Sequence, residues 1–122
     1  MPNVCLIEIM VPDVEAARQF YCDKLGFDIR SEAYLPDVLV LEHEGADLIL
    51  IKTDKPSQLD YPHEATSVLV FEVEDIHLAE KEYKSRGVEF IREIGDAPPG
   101  LFTAFRDPWG NVHGLMQIIP RE

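Results

Sequence analysis

The strongest constraint on the fold is an internal repeat, in which one pattern of residues occurs twice at an offset of 62 positions. The repeat is anchored by the alignment of Asp13 with Asp75. The matched pairs around it are Val11 with Val73, Val14 with Ile76, Ala17 with Ala79, and Tyr21 with Tyr83. The match then slips by one residue, so that Gly26 corresponds to Gly87. A chain with such a repeat is expected to form two similar modules.

Each copy of the repeat predicts a strand, a helix and three further strands. Runs rich in β-branched and aromatic residues at 4–11 and 68–74 are typical of strands. Asp13 and Asp75 are suited to cap the helices that follow, and Gly26 and Gly87 to end them. Further strands are predicted at 27–33, 36–43, 47–53, 88–93, 101–106 and 112–119, with a loop at 95–100 that could act as a lid and a turn at 107–111.

The repeat also predicts the domain organisation. We expect a single domain over 1–122, with a first module at 1–53, a polar linker at 54–66 and a second module at 67–122. Neither half has enough apolar residues to fold alone, so the two modules are expected to share one sheet system. Cys5 is predicted to face the helices, and both Cys5 and Cys22 are expected to be buried, reduced thiols.

Composition excludes several classes of function. The chain has 11 basic and 23 acidic residues and a net charge of −12, which disfavours nucleic acid and anionic membrane surfaces as partners. No apolar run approaches the roughly 20 residues that span a bilayer, and the first residues lack the basic region of a signal peptide. We therefore expect a cytoplasmic protein.

Three segments carry a family resemblance: VPDVEAARQFYCDKLGF, FEVEDIHLAEKEYKSRGVEF and FRDPWGNVHGLMQ. In this order they resemble the vicinal oxygen chelate superfamily, which includes glyoxalases, bleomycin-resistance proteins and extradiol dioxygenases. The resemblance implies an α+β fold in which two βαβββ modules form a curved mixed sheet of half-barrels, with the helices on the convex face. It also implies a homodimer and a cavity on the concave face.

The resemblance identifies four positions where metal-using members of the superfamily place His, Glu or Gln. In this chain these positions are Leu6, Ile49, Val68 and Gly114. None of these side chains can donate an electron pair to a cation. We therefore predict no metal and no cofactor, and metal-dependent catalysis is disfavoured.

Strand alternation extends this set to the rest of the cavity face. The candidate ligand-binding residues are Leu6, Glu8, Met10, Ile49, Val68, Val70, Glu72, Trp109, Gly114 and Met116. Gly114 makes room on this face for a ligand or an opposing side chain, and Trp109 either covers the cavity or rests on its own turn. His113 is predicted on the opposite face.

These residues predict a glyoxalase/bleomycin-resistance family protein that binds a small molecule of unknown identity in the concave cavity without a metal. Glu8 and Glu72 mildly favour a cationic or polar ligand. One alternative is a metal-dependent lyase, isomerase or dioxygenase with a displaced ligand set made of Glu8, Glu72 and a histidine. Another is an interaction module without a ligand, and whether the protein is an enzyme is left open.

Overall fold

Each half of the chain forms one open β-sheet with a helix on one face. The structure, a computed structural model, describes residues 2, 4–55, 61–64 and 67–120. The chain divides into two units, Met1–Pro56 and Ser57–Glu122. Much of the predicted linker, at 56–60 and 65–66, lies outside the described residues. The α+β class that the resemblance implies, built from two similar modules, is confirmed, and each module forms its own sheet.

The first unit has the order strand, helix, three strands. Its elements are β1 (Leu6–Val11), α1 (Val14–Arg18), a π-helical segment (Gln19–Lys24), β2 (Ile29–Ser31), β3 (Val38–Leu41) and β4 (Asp47–Lys52). The sheet order is β1-β4-β3-β2. The β1 and β4 strands are parallel, whereas the other neighbours are antiparallel.

The second unit repeats this topology with one additional strand. Its elements are β5 (Leu69–Glu72), α2 (Ile76–Ser85), β6 (Glu89–Phe90), β7 (Gly95–Ala97), β8 (Gly100–Arg106) and β9 (Val112–Ile118). The sheet order is β5-β9-β8-β6, and β7 pairs with β8 beside this path. The β5 and β9 strands are parallel, as β1 and β4 are in the first unit.

Alternation along the strands separates two faces in each sheet. In the first unit, one face carries the buried residues Ile9, Val11, Leu39, Leu41, Leu48 and Leu50. This face packs against α1, whose Val14 and Ala17 are also buried. In the second unit, α2 contacts β6 and β9, and Phe105 and Leu115 are buried. We call the opposite face of each sheet its helix-free face.

Local backbone chemistry explains where the helices begin and end. The Asp13 carboxylate accepts hydrogen bonds from the Glu15 and Ala16 amides, and the Asp75 carboxylate accepts one from the Leu78 amide. Both predicted caps are therefore confirmed. Gly26 and Gly87 follow the helices with φ of 92° and 89°, the left-handed conformation expected of them.

Two expectations from the sequence are wrong. The segment 95–100 is not a loop or a lid, because Gly95–Ala97 pairs with Gly100–Phe102 in a hairpin. Gly100 is required there, since a Cβ atom would lie 2.1 Å from the Gln117 carbonyl oxygen of β9. Cys5 is exposed and not buried, because β1 begins only at Leu6; both cysteines are free thiols.

Candidate functional site

In the first unit, the helix-free face brings several predicted residues together. Glu8 of β1 lies opposite Ile49 of β4, and Leu6 and Met10 flank Glu8 on the same face. Leu6 is 46% exposed and Met10 is 42% exposed, which is unusual for large apolar side chains in a sheet. Glu8 is exposed as well. On this face the exposed apolar side chains therefore flank one solvated carboxylate, that of Glu8.

In the second unit, the corresponding face also unites predicted residues. Val70 of β5 lies opposite Gly114 of β9, and Glu72 lies opposite Met116. Val70 is 49% exposed, and Glu72 is exposed. Val68 comes one residue before β5 and is half-buried. The register thus places Val70, Glu72, Gly114 and Met116 on one face, as strand alternation predicts.

The space beside Gly114 is taken by an aromatic ring that the sequence analysis did not single out. A Cβ atom at Gly114 would lie 2.7 Å from Cε2 of Phe102 and 3.0 Å from Cγ2 of Val70. Phe102 belongs to β8 and lies opposite Met116 in β9. The absence of a side chain at Gly114 therefore makes room for the ring of Phe102. Of the two predicted occupants of this space, a ligand or an opposing side chain, the structure shows an opposing side chain.

Arg92 is the second functional candidate that the sequence analysis missed. Its guanidinium carbon lies 5.1 Å from the centre of the Phe102 ring, within the range of a cation–π interaction. Gly114, Val70 and Arg92 thus all lie next to the Phe102 ring. Counting outward from the turn at 107–111 pairs Ala104 with Gly114 and Phe102 with Met116. That count is the sequence signal for Phe102, whereas nothing in the sequence indicates the stacking of Arg92.

The turn before β9 is held by a buried carboxylate. Asp107 is 2% exposed and accepts hydrogen bonds from the amides of Trp109 and Asn111 at 2.9 and 2.8 Å. The Asn111 side-chain amide donates a third, at 2.7 Å. Trp109 is half-buried. The turn is thus a fixed scaffold, and a contact of Trp109 with a ligand stays a prediction.

His113 lies on the helix side of its sheet, as predicted. Its ring is between those of Phe71 and Phe105, with centroid distances of 5.4 and 5.6 Å. Burial lowers the pKa of His113 to about 4, and attraction to Asp107 offsets only part of this effect. A neutral imidazole on this side of the sheet cannot join ligands on the helix-free face.

Arg30 neutralises acidic groups at the helix-free side of the first unit. Its guanidinium donates to both carboxylate oxygens of Glu42, at 3.1 and 3.2 Å, and to the carboxylate of Asp47. Hydrogen bonding and attraction to Glu42 raise the pKa of Arg30, and the same pairing lowers the pKa of the Glu42 carboxyl. Arg30, Glu42 and Asp47 therefore form ion pairs with one another.

The residues at the four superfamily ligand positions do not fit a metal ion. Leu6 and Ile49 in the first unit offer only hydrocarbon, as does Val68 in the second, and Gly114 has no side chain. Across 4–55, 61–64 and 67–120, no group of three or more His, Cys, Asp or Glu residues is arranged to hold a metal. No metal-dependent step can be derived for these four positions.

Comparison with known proteins agrees with this architecture. The sequence model of the Glyoxalase/Bleomycin resistance protein/Dioxygenase superfamily matches residues 4–114, so the chain belongs to that superfamily. Within it, the chain is 33% identical to YetH, an uncharacterised protein of Bacillus subtilis strain 168, over 91% of this chain and 94% of YetH. None of the described helices has the length and apolar character needed to cross a membrane.

Two solved structures are also similar. TnmS3, an antibiotic binding protein from Streptomyces sp. CB03234, superimposes with a TM-score of 0.72 at 28% identity, covering 98% of both chains. A glyoxalase family protein from Enterococcus faecalis superimposes with a TM-score of 0.75 at 28% identity, covering 94% of this chain and 97% of its own. Because one superfamily supports many chemistries, the function must be argued from the site.

Proposed function

We propose that the protein binds a small organic molecule on the helix-free faces of its sheets and does so without a metal ion. The observation that carries this proposal is the chemistry of those faces. Large apolar side chains are exposed on them, and the four superfamily ligand positions hold no donor. Apolar surfaces with a few polar groups are typical of small-molecule sites. The likeness to TnmS3, an antibiotic binding protein, supports the same class of function.

A metal-dependent lyase, isomerase or dioxygenase is less well supported. Such an enzyme needs a displaced ligand set of Glu8, Glu72 and a histidine. His113 lies on the helix side of its sheet, and the Nδ1 atom of His43 lies 3.0 Å from the Ala46 carbonyl oxygen. His63 and His77 are exposed. None of these four histidines is placed beside Glu8 and Glu72 as a metal ligand would be. The metal-dependent enzyme is therefore kept as one outcome of the test below.

The test is a ligand screen by thermal shift in EDTA, followed by matched variants. A ligand that binds only the folded protein raises the midpoint of unfolding. We expect Val70→Asp to weaken at least tenfold every hit that binds the helix-free face of the second unit, because it places a charge on that face. Leu78→Asp is the control, since Leu78 is 52% exposed on α2, much as Val70 is exposed on β5. Equal weakening by both substitutions contradicts the proposed site.

Two further results would overturn the proposal. A stoichiometric divalent ion that survives dialysis, and turnover that requires it, would favour the metal-dependent enzyme. If no small molecule in the screen binds the exposed apolar faces, the alternative of an interaction module without a ligand is favoured.

We also propose that the protein is a cytoplasmic homodimer. Val4 and Tyr34, which lie outside the strands, are 71% and 64% exposed and support an assembly that covers them, because large exposed apolar side chains are typical of interaction surfaces. Light scattering after size exclusion should give twice the chain mass of 13.9 kDa. A monomer at micromolar concentration contradicts the dimer, and fractionation of the native cell tests the compartment.

A further inference from the structure

A cleft of roughly 600 Å³ lies in the second unit. It is lined by Tyr61, Pro62, Ile91, Arg92, Glu93, Ile94 and Gly95. This volume falls in the usual range of about 300–1,000 Å³ for small-molecule sites. The lining combines an aromatic ring and aliphatic side chains with one guanidinium, so it suits a ligand with an apolar body and a charged end.

Arg92 differs from the two arginines that form ion pairs in the first unit. Arg18 contacts Glu32 at 2.8 Å, and Arg30 contacts Glu42 and Asp47. Among the residues that the structure describes, no carboxylate lies within 4.0 Å of the Arg92 guanidinium. This is notable in a chain with twice as many acids as bases. The Arg92 charge is instead held over the Phe102 ring.

The position of Arg92 is fixed from several sides. Its backbone carbonyl accepts a hydrogen bond from the Thr103 hydroxyl at 3.0 Å, and its Nε donates to the Glu93 carbonyl at 3.2 Å. A Cβ atom at Gly95 would lie 3.1 Å from Nη2 of Arg92, so the glycine leaves space for the guanidinium. A cation held in place in this way loses little conformational entropy when it binds an anion.

We infer that this cleft binds an organic anion, with the ligand's carboxylate paired to Arg92 and its apolar body against Ile91, Ile94 and Tyr61. The inference rests on the proposed small-molecule function, adds this cleft as a second binding position beside the helix-free faces, and names the class of ligand bound there. The Nη atoms of Arg92 present parallel N–H groups, the geometry that a carboxylate matches with two hydrogen bonds. Glu93 also lines the cleft, but its carboxylate is exposed and therefore screened by water.

Three probes of one shape test the charge requirement: 2-naphthoate, neutral 2-naphthamide and cationic 2-naphthylmethylamine. Each is titrated into the ¹⁵N-labelled full chain, and amide and arginine Nε–H shifts are followed. We expect 2-naphthoate to shift the Arg92 Nε–H signal and the amides of 91–95. It should bind at least tenfold more tightly than the other two probes.

Substitutions then assign the preference to one side chain. Arg92→Gln should remove the preference for 2-naphthoate, and Arg92→Lys should keep only part of it, because an ammonium lacks the planar fork. Arg86→Gln is the matched control, because it removes the same charge at an exposed position of the second unit that does not line the cleft, and it should leave 2-naphthoate binding unchanged. The ¹⁵N spectrum of each variant verifies the fold.

The inference is overturned if the neutral or cationic probe binds equally well, if no probe shifts the signals of 91–95, or if Arg92→Gln keeps the preference. These results leave the broader proposal intact when screened ligands still bind the helix-free face and respond to Val70→Asp. Loss of both sets of binding contradicts the proposed function itself.

Discussion

Gly114 illustrates how a single missing side chain determines what a sheet face can do. Superfamily members that use metals place a donor at this position, but here the ring of Phe102 fills the space that such a side chain needs. Restoring a donor would therefore require the ring to move as well. A metal-ligating side chain at this position is therefore incompatible with the present packing of β8 and β9.

We predict that Gly114→Ala destabilises the fold by about 1–3 kcal/mol, because the added methyl group overlaps the Phe102 ring. Phe102→Leu should recover part of this cost, since a smaller side chain leaves room for the methyl group. Urea unfolding of both single variants and the double variant gives the coupling between the two positions. Additive effects would show that the ring does not set the cost.

His113 makes the stability of the fold depend on pH. Its pKa is about 4 in the folded protein and 6.5 in the unfolded chain, so the unfolded state binds the proton more readily. The contribution of the neutral ring is complete above pH 6.5 and is lost as the pH falls toward 4. The shift corresponds to roughly 3 kcal/mol.

Unfolding measurements at pH 7.5 and pH 4 test this dependence. His113→Phe keeps an aromatic ring between Phe71 and Phe105 but cannot take up a proton. We expect the unsubstituted protein to lose roughly 3 kcal/mol more than this variant over the interval, with the carboxylates as a common background. Equal losses in the two proteins would mean that His113 does not set the acid response.

At the scale of elements, the one-residue slip in the repeat has a structural cause. The chain needs 13 steps from Asp13 to Gly26 but 12 from Asp75 to Gly87. The additional residue lies in the π-helical segment Gln19–Lys24, where the Leu25 amide donates to the Phe20 carbonyl five residues earlier. A π-helical turn accommodates one inserted residue without moving the elements on either side.

We therefore predict that deletion of Asp23, an exposed residue in this segment, converts it to a regular α-helix. The interval from Tyr21 to Gly26 would then match that from Tyr83 to Gly87, and stability should change by no more than about 1 kcal/mol. Deletion of Ser85, the equivalent residue in α2, is the control and should cost several times more. Similar melting temperatures for the two deletions would contradict this explanation.

Features that depend on local sequence could be predicted for these helices and strands, whereas features that depend on pairing between segments could not. Both caps and both helix-ending glycines could be predicted, because they depend on local backbone chemistry. Alternation predicted that Val70 and Gly114 lie on one face, since strand side chains have a period of two. The β7 strand could not be predicted, because its residues gain order only by pairing with β8. Likewise, the stacking of Arg92 on Phe102 depends on side-chain conformation across two segments.

At the scale of the whole molecule, the size of the two units raises the question of cooperativity. Each unit has about 60 residues, its own sheet and its own buried side chains. Domains of this size bury only about 60% of their unfolded surface and have marginal stability. A unit that relied on its own core alone would therefore unfold after a single destabilising substitution. For this reason we propose that the two units stabilise each other and unfold together as one domain.

The single tryptophan makes this proposal testable, because Trp109 belongs to the second unit and reports its unfolding by fluorescence. Leu50→Ala removes a fully buried side chain from the first unit and should cost about 2–5 kcal/mol. If the units unfold together, this substitution in the first unit lowers the midpoint of the Trp109 transition as much as Leu115→Ala does within the second unit. A Trp109 transition that responds to Leu115→Ala but not to Leu50→Ala would show two independent domains, because stability is then separate for each unit.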